Sequence, residues 1–416
     1  GLSLTDSDNT ASNAETVGAL TLGAGHNIIT ATSSQAATVG TLTLASLAAR
    51  NNRATLLVRG VGLGDSAATQ RGQLIFSTAP GTGNAVIGGA GAAGTTNTSI
   101  FAWMVGETSA TGVGNSFVRN TGTTNGLKPL DLTTEYINNN TGITGTLTDN
   151  VRFTATAAIA STPTAINSLV LDSATGVALT GSASSMEITS GAVLAAGAGS
   201  HSIGGITGLT TAATRDYNIF VTNSAGVLSI DTALATVAPL VKSGAGTLKL
   251  TSTTNAINAI YLNQGNLLID DLDKTGTGTL NFHGGTLKLD TTFTDDLGGK
   301  TMVAGTGGGT IDVGALTATA TGFNLSGAGS FTKTGTGTLT IGDSTTITHT
   351  GQVIVSQGTL VLNNTTGTSI GTGGLLISGT SNPTTVQLTQ NNQIANTAPI
   401  TLTNNGSNNP TLDLNG

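Results

Sequence analysis

Short runs in which apolar and polar residues alternate recur along the chain. In Thr41-Leu42-Thr43-Leu44 each Leu can face one side of a pleated strand and each Thr the other. Gln357-Gly358-Thr359-Leu360-Val361-Leu362 and Ile166-Asn167-Ser168-Leu169-Val170-Leu171 have the same grammar. No long stretch places apolar residues at i, i+3, i+4 and i+7, so almost no helix is expected. No apolar run approaches the ~18 residues of a transmembrane helix. The pattern predicts an all-β chain of many short strands separated by Gly-, Asn- and Asp-rich turns.

The strands belong to a repeat. Gly-Thr-Gly-Thr-Leu occurs at 276–280 and 335–339, and Gly-Ala-Gly-Thr-Leu at 244–248. Two copies sit in longer matching blocks, Leu240–Leu250 with Lys242, Gly246 and Leu248, and Phe331–Ile341 with Lys333, Gly337 and Leu339. The third keeps Lys274, Gly278 and Leu280. Further strands open at Gly265 and at Gly358, the latter with Leu360. Successive glycines lie 19 residues apart from Gly246 to Gly265, 21 from Gly337 to Gly358, and 22 from Gly18 to Gly40. A period near 20 with short strands in each period predicts a β-solenoid, since one coil cannot bury its apolar side and stacked coils can. A constant step predicts about 20 coils and a rod of roughly 95 Å.

The blocks at 240–269 and 331–362 resemble the autotransporter-associated β-strand repeat, with its Leu-x-Lys-x-Gly-x-Gly-Thr-Leu-x-Leu opening and later Val-x-x-Gly-Thr-Leu. The family's Asn-Thr-Tyr-Thr-Gly link is degraded here, to Thr-Asn-Ala-Ile-Asn at 254–258 and Thr-Ile-Thr-His-Thr-Gly at 346–351. The resemblance implies a right-handed parallel β-helix exported from a bacterium to its surface, a handedness that parallel crossovers also favour. The chain does not begin with Met or a charged-then-apolar leader, which leads to the expectation of a processed product or part of a longer protein.

Composition narrows the classes of function. Gly accounts for 60 of 416 residues, charged residues for 8%, and there is no Cys. Disulfides and zinc–thiolate sites are therefore excluded. A net charge of −7 with 14 Lys and Arg offers no basic surface for nucleic acid. The order along the chain reads as first solenoid coils at 1–50, an irregular or insertion-rich section at 51–165, and a solenoid at 166–416. The middle section carries the only Trp, Trp103, and most of the Arg.

Candidate chemistry is sparse. Asp270, Asp271 and Asp273, with Asp295 and Asp296 on a later coil, are weak calcium candidates, because Ca²⁺ takes several oxygen ligands. His26, His201, His283 and His349 lack metal-ligand spacing and read as surface or corner polar residues. Lys242, Lys274 and Lys333 occupy equivalent repeat positions and are expected as an outer row that discourages sideways strand pairing. No cofactor motif is found. The leading expectation is a non-enzymatic extracellular structural protein that assembles head to tail with itself or continues into further repeats. The alternative is an adhesin that binds a surface polysaccharide through 51–165, with Trp103 and Arg119 as contacts. A polysaccharide-degrading β-helix using Asp270 or Asp271 ranks third.

Overall fold

The computed structural model describes all residues except 1, 7–11, 81–85, 139, 141, 143–144, 160–163, 182–184, 344–346, 380–382, 405–408 and 415–416. It is all-β, with strands joined almost entirely as parallel ladders. The one helical turn among the described residues is the 3₁₀ segment Leu272–Thr275. The chain forms two compact units, Gly1–Thr247 and Leu248–Gly416.

In the first unit, Leu2–Asp6, Asn13–Val17 and Leu20–Leu22 head three ladders. Leu2–Asp6 is followed in parallel by His26–Ser33, Thr55–Arg59 and Phe101–Glu107. Asn13–Val17 is followed by Val39–Leu44 and Arg71–Phe76. Within 51–165 the coil therefore continues as far as Phe101–Glu107. It then gives way to an antiparallel meander through Ser116–Asn120 and Leu127–Pro129. A second stack in this unit runs through Asn150–Phe153, Thr164–Asp172, Ser185–Ala196, Tyr217–Val221 and Ala238–Ser243.

These two stacks pack side by side. Leu57, Val105 and Phe117 from the first join Val170, Leu194 and Phe220 from the second in one buried cluster. The Phe117 and Phe220 rings meet edge to face at 6.4 Å. The residues Phe101 to Gly106 are all buried. That explains why this segment reads as an unbroken apolar run rather than an alternating one. The seam also carries polar links, Arg53 Nε to Asp216 Oδ2 at 3.0 Å and a 2.7 Å bond between the hydroxyls of Thr55 and Ser243.

The second unit has three parallel ladders. One joins Ile257–Leu262, Thr279–Phe282, Thr301–Ala304 and Asn324–Ser326. Another runs from Asn266–Ile269 through Thr286–Leu289, Gly309–Asp312, Phe331–Thr334, Val353–Val355 and Leu375–Gly379 to Ile400–Asn404. The third joins Thr317–Thr321, Thr338–Gly342, Gly358–Asn363, Thr384–Leu388 and Thr411–Asp413. Leu248, Leu280, Leu339 and Leu360 all point inward and are buried, while the alternate Thr and Lys positions are partly exposed.

Coil length varies. Ile260 pairs with Leu280 and Leu339 with Leu360, steps of 20 and 21 residues. Leu2 pairs with Ile29 and Leu42 with Leu74, steps of 27 and 32. The step expected from the glycine spacing holds at the repeat blocks. It is too short for the first coils, so it overstates the number of coils.

The Gly-x-Gly-Thr-Leu motif has a geometric cause. Its first glycine turns the corner in the left-handed region, with φ of 64° at Gly276 and 85° at Gly335. Its second glycine lies against the preceding coil. A Cβ at Gly278 would sit 1.9 Å from Asn258 O, and one at Gly337 would sit 2.0 Å from Leu316 O. Only a residue without a side chain lets the two backbones approach so closely.

The side-by-side packing makes a test. Phe220→Ala should cost about 3–5 kcal/mol of stability, the usual range for emptying a buried aromatic site. Val237→Ala, at a residue 74% exposed, should change stability by no more than about 0.5 kcal/mol. Urea denaturation followed by circular dichroism measures both.

Candidate functional site

The carboxylate cluster is built around the 3₁₀ turn that follows strand Asn266–Ile269. The Asp271 side chain caps that turn by accepting from Asp273 N at 2.8 Å. Asp270 pairs with Lys274, four residues on. The next coil brings in the second acidic pair, and Asp295 Oδ2 accepts from Leu272 N at 2.7 Å. Asp296 accepts from both Gly298 N and Thr321 N, each at 2.7 Å. Burial acts to raise the Asp296 carboxyl, but the hydrogen bonds from Thr321 and Gly298 outweigh it and hold its pKa below the usual value. Stacking thus does bring the two acidic segments together, as the sequence suggested. Asp271, Asp295 and Asp296 each hold backbone N–H groups, and Asp270 holds Lys274. Among the described residues, no group of three or more His, Asp or Glu is placed to hold a metal ion. Asp270, Asp271 and Asp273 therefore do not form the calcium ligand set considered from the sequence.

The lysines overturn the expectation of an outer row. Lys242 and Lys333 are fully buried, and Lys274 is 8% exposed. The Lys333 ammonium donates to three carbonyls, Gly335 O at 2.7 Å, Gly337 O at 2.6 Å and Gln357 O at 2.7 Å. Lys242 Nζ donates to Ser243 O at 3.0 Å and Gly244 O at 2.7 Å, and Lys300 Nζ to Gly276 O at 2.7 Å. The Gly-rich corners turn carbonyls inward, and an ammonium with three donors meets them, sharing Gly337 O with Thr359 N at 3.1 Å. Lys274 and Lys333 do not stack either. In the second unit the Gly-Thr-Gly-Thr-Leu copy at 276–280 leads into Thr279–Phe282 of one ladder, and the copy at 335–339 into Thr338–Gly342 of another. Burial lowers the pKa of Lys242 to about 7 and of Lys333 to about 8.

His201, His283 and His349 are buried as well, and His26 is half-buried. His201 accepts from Val177 N at 3.2 Å and donates to Ala196 O at 3.0 Å. His349 Nε2 lies 2.7 Å from Gly329 O. His283 stacks on Tyr261, with ring centres 6.1 Å apart. His26 bonds Thr55 Oγ1 at 2.9 Å, and burial together with the nearby Lys242 lowers its pKa to about 4. Nothing in residue spacing signals this burial, because it follows from how the coils stack around each histidine.

The two expected adhesive contacts are likewise withdrawn from the surface. Trp103 is 3% exposed, packed among the first coils, with the Arg50 guanidinium 5.3 Å from its ring centre. Arg119 Nε lies 3.0 Å from Glu135 Oε1. Glu135 also accepts from Gly94 N at 2.9 Å and Asp131 N at 2.8 Å, which fixes the 90–135 loops to one another. What the sequence reading missed is the company Trp103 keeps. Arg50, Arg53 and Asp216 meet beside it, and Asp216 lies more than 100 residues away along the chain.

Compared with family models, curated proteins and solved structures, the chain matches none. No helix of the described residues is long and apolar enough to cross a membrane.

Lys333→Met should cost about 1–3 kcal/mol, because it strands carbonyls inside the coil. The lysines also set a pH dependence. Lys242 and Lys333 titrate below 10.5, their ordinary value. Between the lowered and ordinary values the unfolded chain binds more protons than the folded one, so stability rises with pH. The urea midpoint should climb from pH 7 to pH 9.5, and climb less in Lys333→Met. Adding calcium should leave the midpoint unchanged.

Proposed function

We propose that the protein is a structural element of an extracellular bacterial fibre, built by stacking β-solenoid coils. The observation that carries this reading is the coil step. The same contact, a parallel strand pair with Leu inside and Gly at the corner, recurs from coil to coil. It leaves the same kind of surface at the edges. Leu2 and Val17 lie on edge strands of the first unit, and Ile400 and Leu402 on the edge strand Ile400–Asn404 of the second. All four are 37–48% exposed. Edge strands offer unpaired N–H and C=O groups and template further strands. The next coil comes either from a second copy, giving an open head-to-tail filament, or from further repeats of a longer chain. Placement outside the cell rests on the resemblance of the blocks at 240–269 and 331–362 to the autotransporter-associated repeat. Asp271, Asp295 and Asp296 accept from backbone N–H groups, and Lys242 and Lys333 donate to backbone carbonyls, which favours the structural reading over catalysis.

Electron microscopy and mass measurement of the natively processed protein test this proposal. The expected outcome is filaments with a constant axial repeat, or a native polypeptide that continues into more coils. Leu402→Lys should weaken assembly of separate copies. Particles of 40.8 kDa that stay single at every concentration would overturn the reading.

A further inference from the structure

The first coil carries a charge where the coils after it carry apolar side chains. Strand Asn13–Val17 is the edge of its ladder. Glu15 pairs with Leu42 of Val39–Leu44, and Leu42 pairs with Leu74 of Arg71–Phe76. Paired residues of a parallel ladder point to the same face. Leu42 is 2% exposed and Leu74 0%, so the column that Glu15 completes is a column of the core. The next inward column runs Val17, Leu44 and Phe76, of which Leu44 and Phe76 are buried. Ala14 and Thr16 take the outward positions, paired with Thr41 and Thr43. Glu15 thus stands on the inward side of an edge strand, and it is exposed there. It forms no ion pair among the described residues.

The surroundings offer this carboxylate no cation. Residues 1–49 contain Asp6, Asp8 and Glu15 and no Lys or Arg. Val39–Leu44 has no titratable residue. Arg71, one strand further, pairs with Val39 and donates from Nη1 to Ala68 O at 2.9 Å. His26 lies on the neighbouring ladder against Thr55. At the other end, residues 334–416 contain Asp343, Asp413 and His349 and again no Lys or Arg. The last coil does offer the apolar columns. Ile400 and Leu402 continue those of buried Leu375 and Ile377, and Leu412 continues that of buried Val386.

We infer that Glu15 is a proton-operated gate on the end-to-end contact between two copies of this chain, shut while the carboxyl is ionised and open when it is protonated. The inference rests on the fibre reading and adds its regulation. When the last coil of a second copy is set on the first coil, Glu15 is enclosed in the column of Leu42 and Leu74. An ionised carboxylate enclosed there loses its hydration and gains no counter-charge, because neither end supplies a cation. Inward-pointing charges on edge strands are one of the devices that keep sheets from adding to one another. The edge Leu2–Asp6 of the same coil is not guarded in this way, since Leu2 and Leu4 continue the columns of buried Ile29 and Ala31. The contact is therefore apolar apart from one ladder, and a single proton decides it. The joined state holds that proton and the separate state does not. Association accordingly weakens as pH rises, about tenfold for each pH unit over which the free carboxyl is ionised.

Sedimentation velocity of the full-length chain from pH 5 to pH 8, at constant ionic strength, reads the association constant. The parent should associate at the acid end and weaken by about tenfold per pH unit above it. Glu15→Leu should associate at neutral pH about a hundredfold more tightly than the parent, the equivalent of two pH units, and lose most of the slope. Its melting curve should match the parent's, because Glu15 is exposed in the single chain. Glu187→Gln, which removes a charge inside a ladder at Ser185–Ala196, should keep the parent's slope, and high salt at neutral pH should leave the parent single. A Glu15→Leu variant with the parent's pH dependence overturns the gate and leaves the fibre reading standing. So does association of the parent at neutral pH in high salt, or a Glu187→Gln variant that behaves as Glu15→Leu does. If the parent and Glu15→Leu both stay single at every pH, the gate and the filament form of the fibre reading fall together.

Discussion

Every coil of this protein depends on its neighbours for backbone hydrogen bonds. A parallel strand cannot pair within its own coil, so its N–H and C=O groups go to the coils before and after it. That requirement sets the spacing between backbones. It explains why Gly278 and Gly337 cannot carry a side chain, since each faces a carbonyl of the preceding coil. It also explains the corners. Where the chain turns, the ladder stops and carbonyls point into the buried interior. Lys333, Lys242 and Lys300 supply the missing donors.

The low charge of the chain takes on a different meaning in this light. Lysine here is not mainly a solubilising residue. Several of the few cations present are internal ligands for backbone oxygen, and several of the carboxylates cap backbone N–H groups in the same manner. Asp271 and Asp295 serve the turn at Leu272–Thr275 from two successive coils. A buried ammonium costs desolvation, and its lowered pKa records that cost.

The first unit adds a second principle to stacking. Its two stacks meet through sheet faces, so strands such as Phe101–Glu107 and Tyr217–Val221 are buried on both sides. Side-by-side packing of two solenoid stacks leaves a seam, and a cavity lined by Arg50, Trp103 and Asp216 lies along it.

Much of the fold was legible in the residues themselves. Alternating Leu and Thr specify a strand with one face inward, and Gly-x-Gly-Thr-Leu specifies a corner followed by a strand, because both are local properties of the backbone and its side-chain period. The absence of helix follows from the same local pattern. Which coil lies beside which, and in what phase, is not local. Two identical pentapeptides at 276–280 and 335–339 enter different ladders because intervening corners differ in length, and no residue in the motif encodes that sum. The position of a charged side chain depends on that phase, so Lys333 reads as an outward cation in sequence and is buried in the fold. Trp103 reads as an exposed platform for a similar reason. It is buried among first-coil residues such as Leu22, Leu47 and Phe101, and only tertiary packing brings Thr214 to Asn218, more than 100 positions away, beside it.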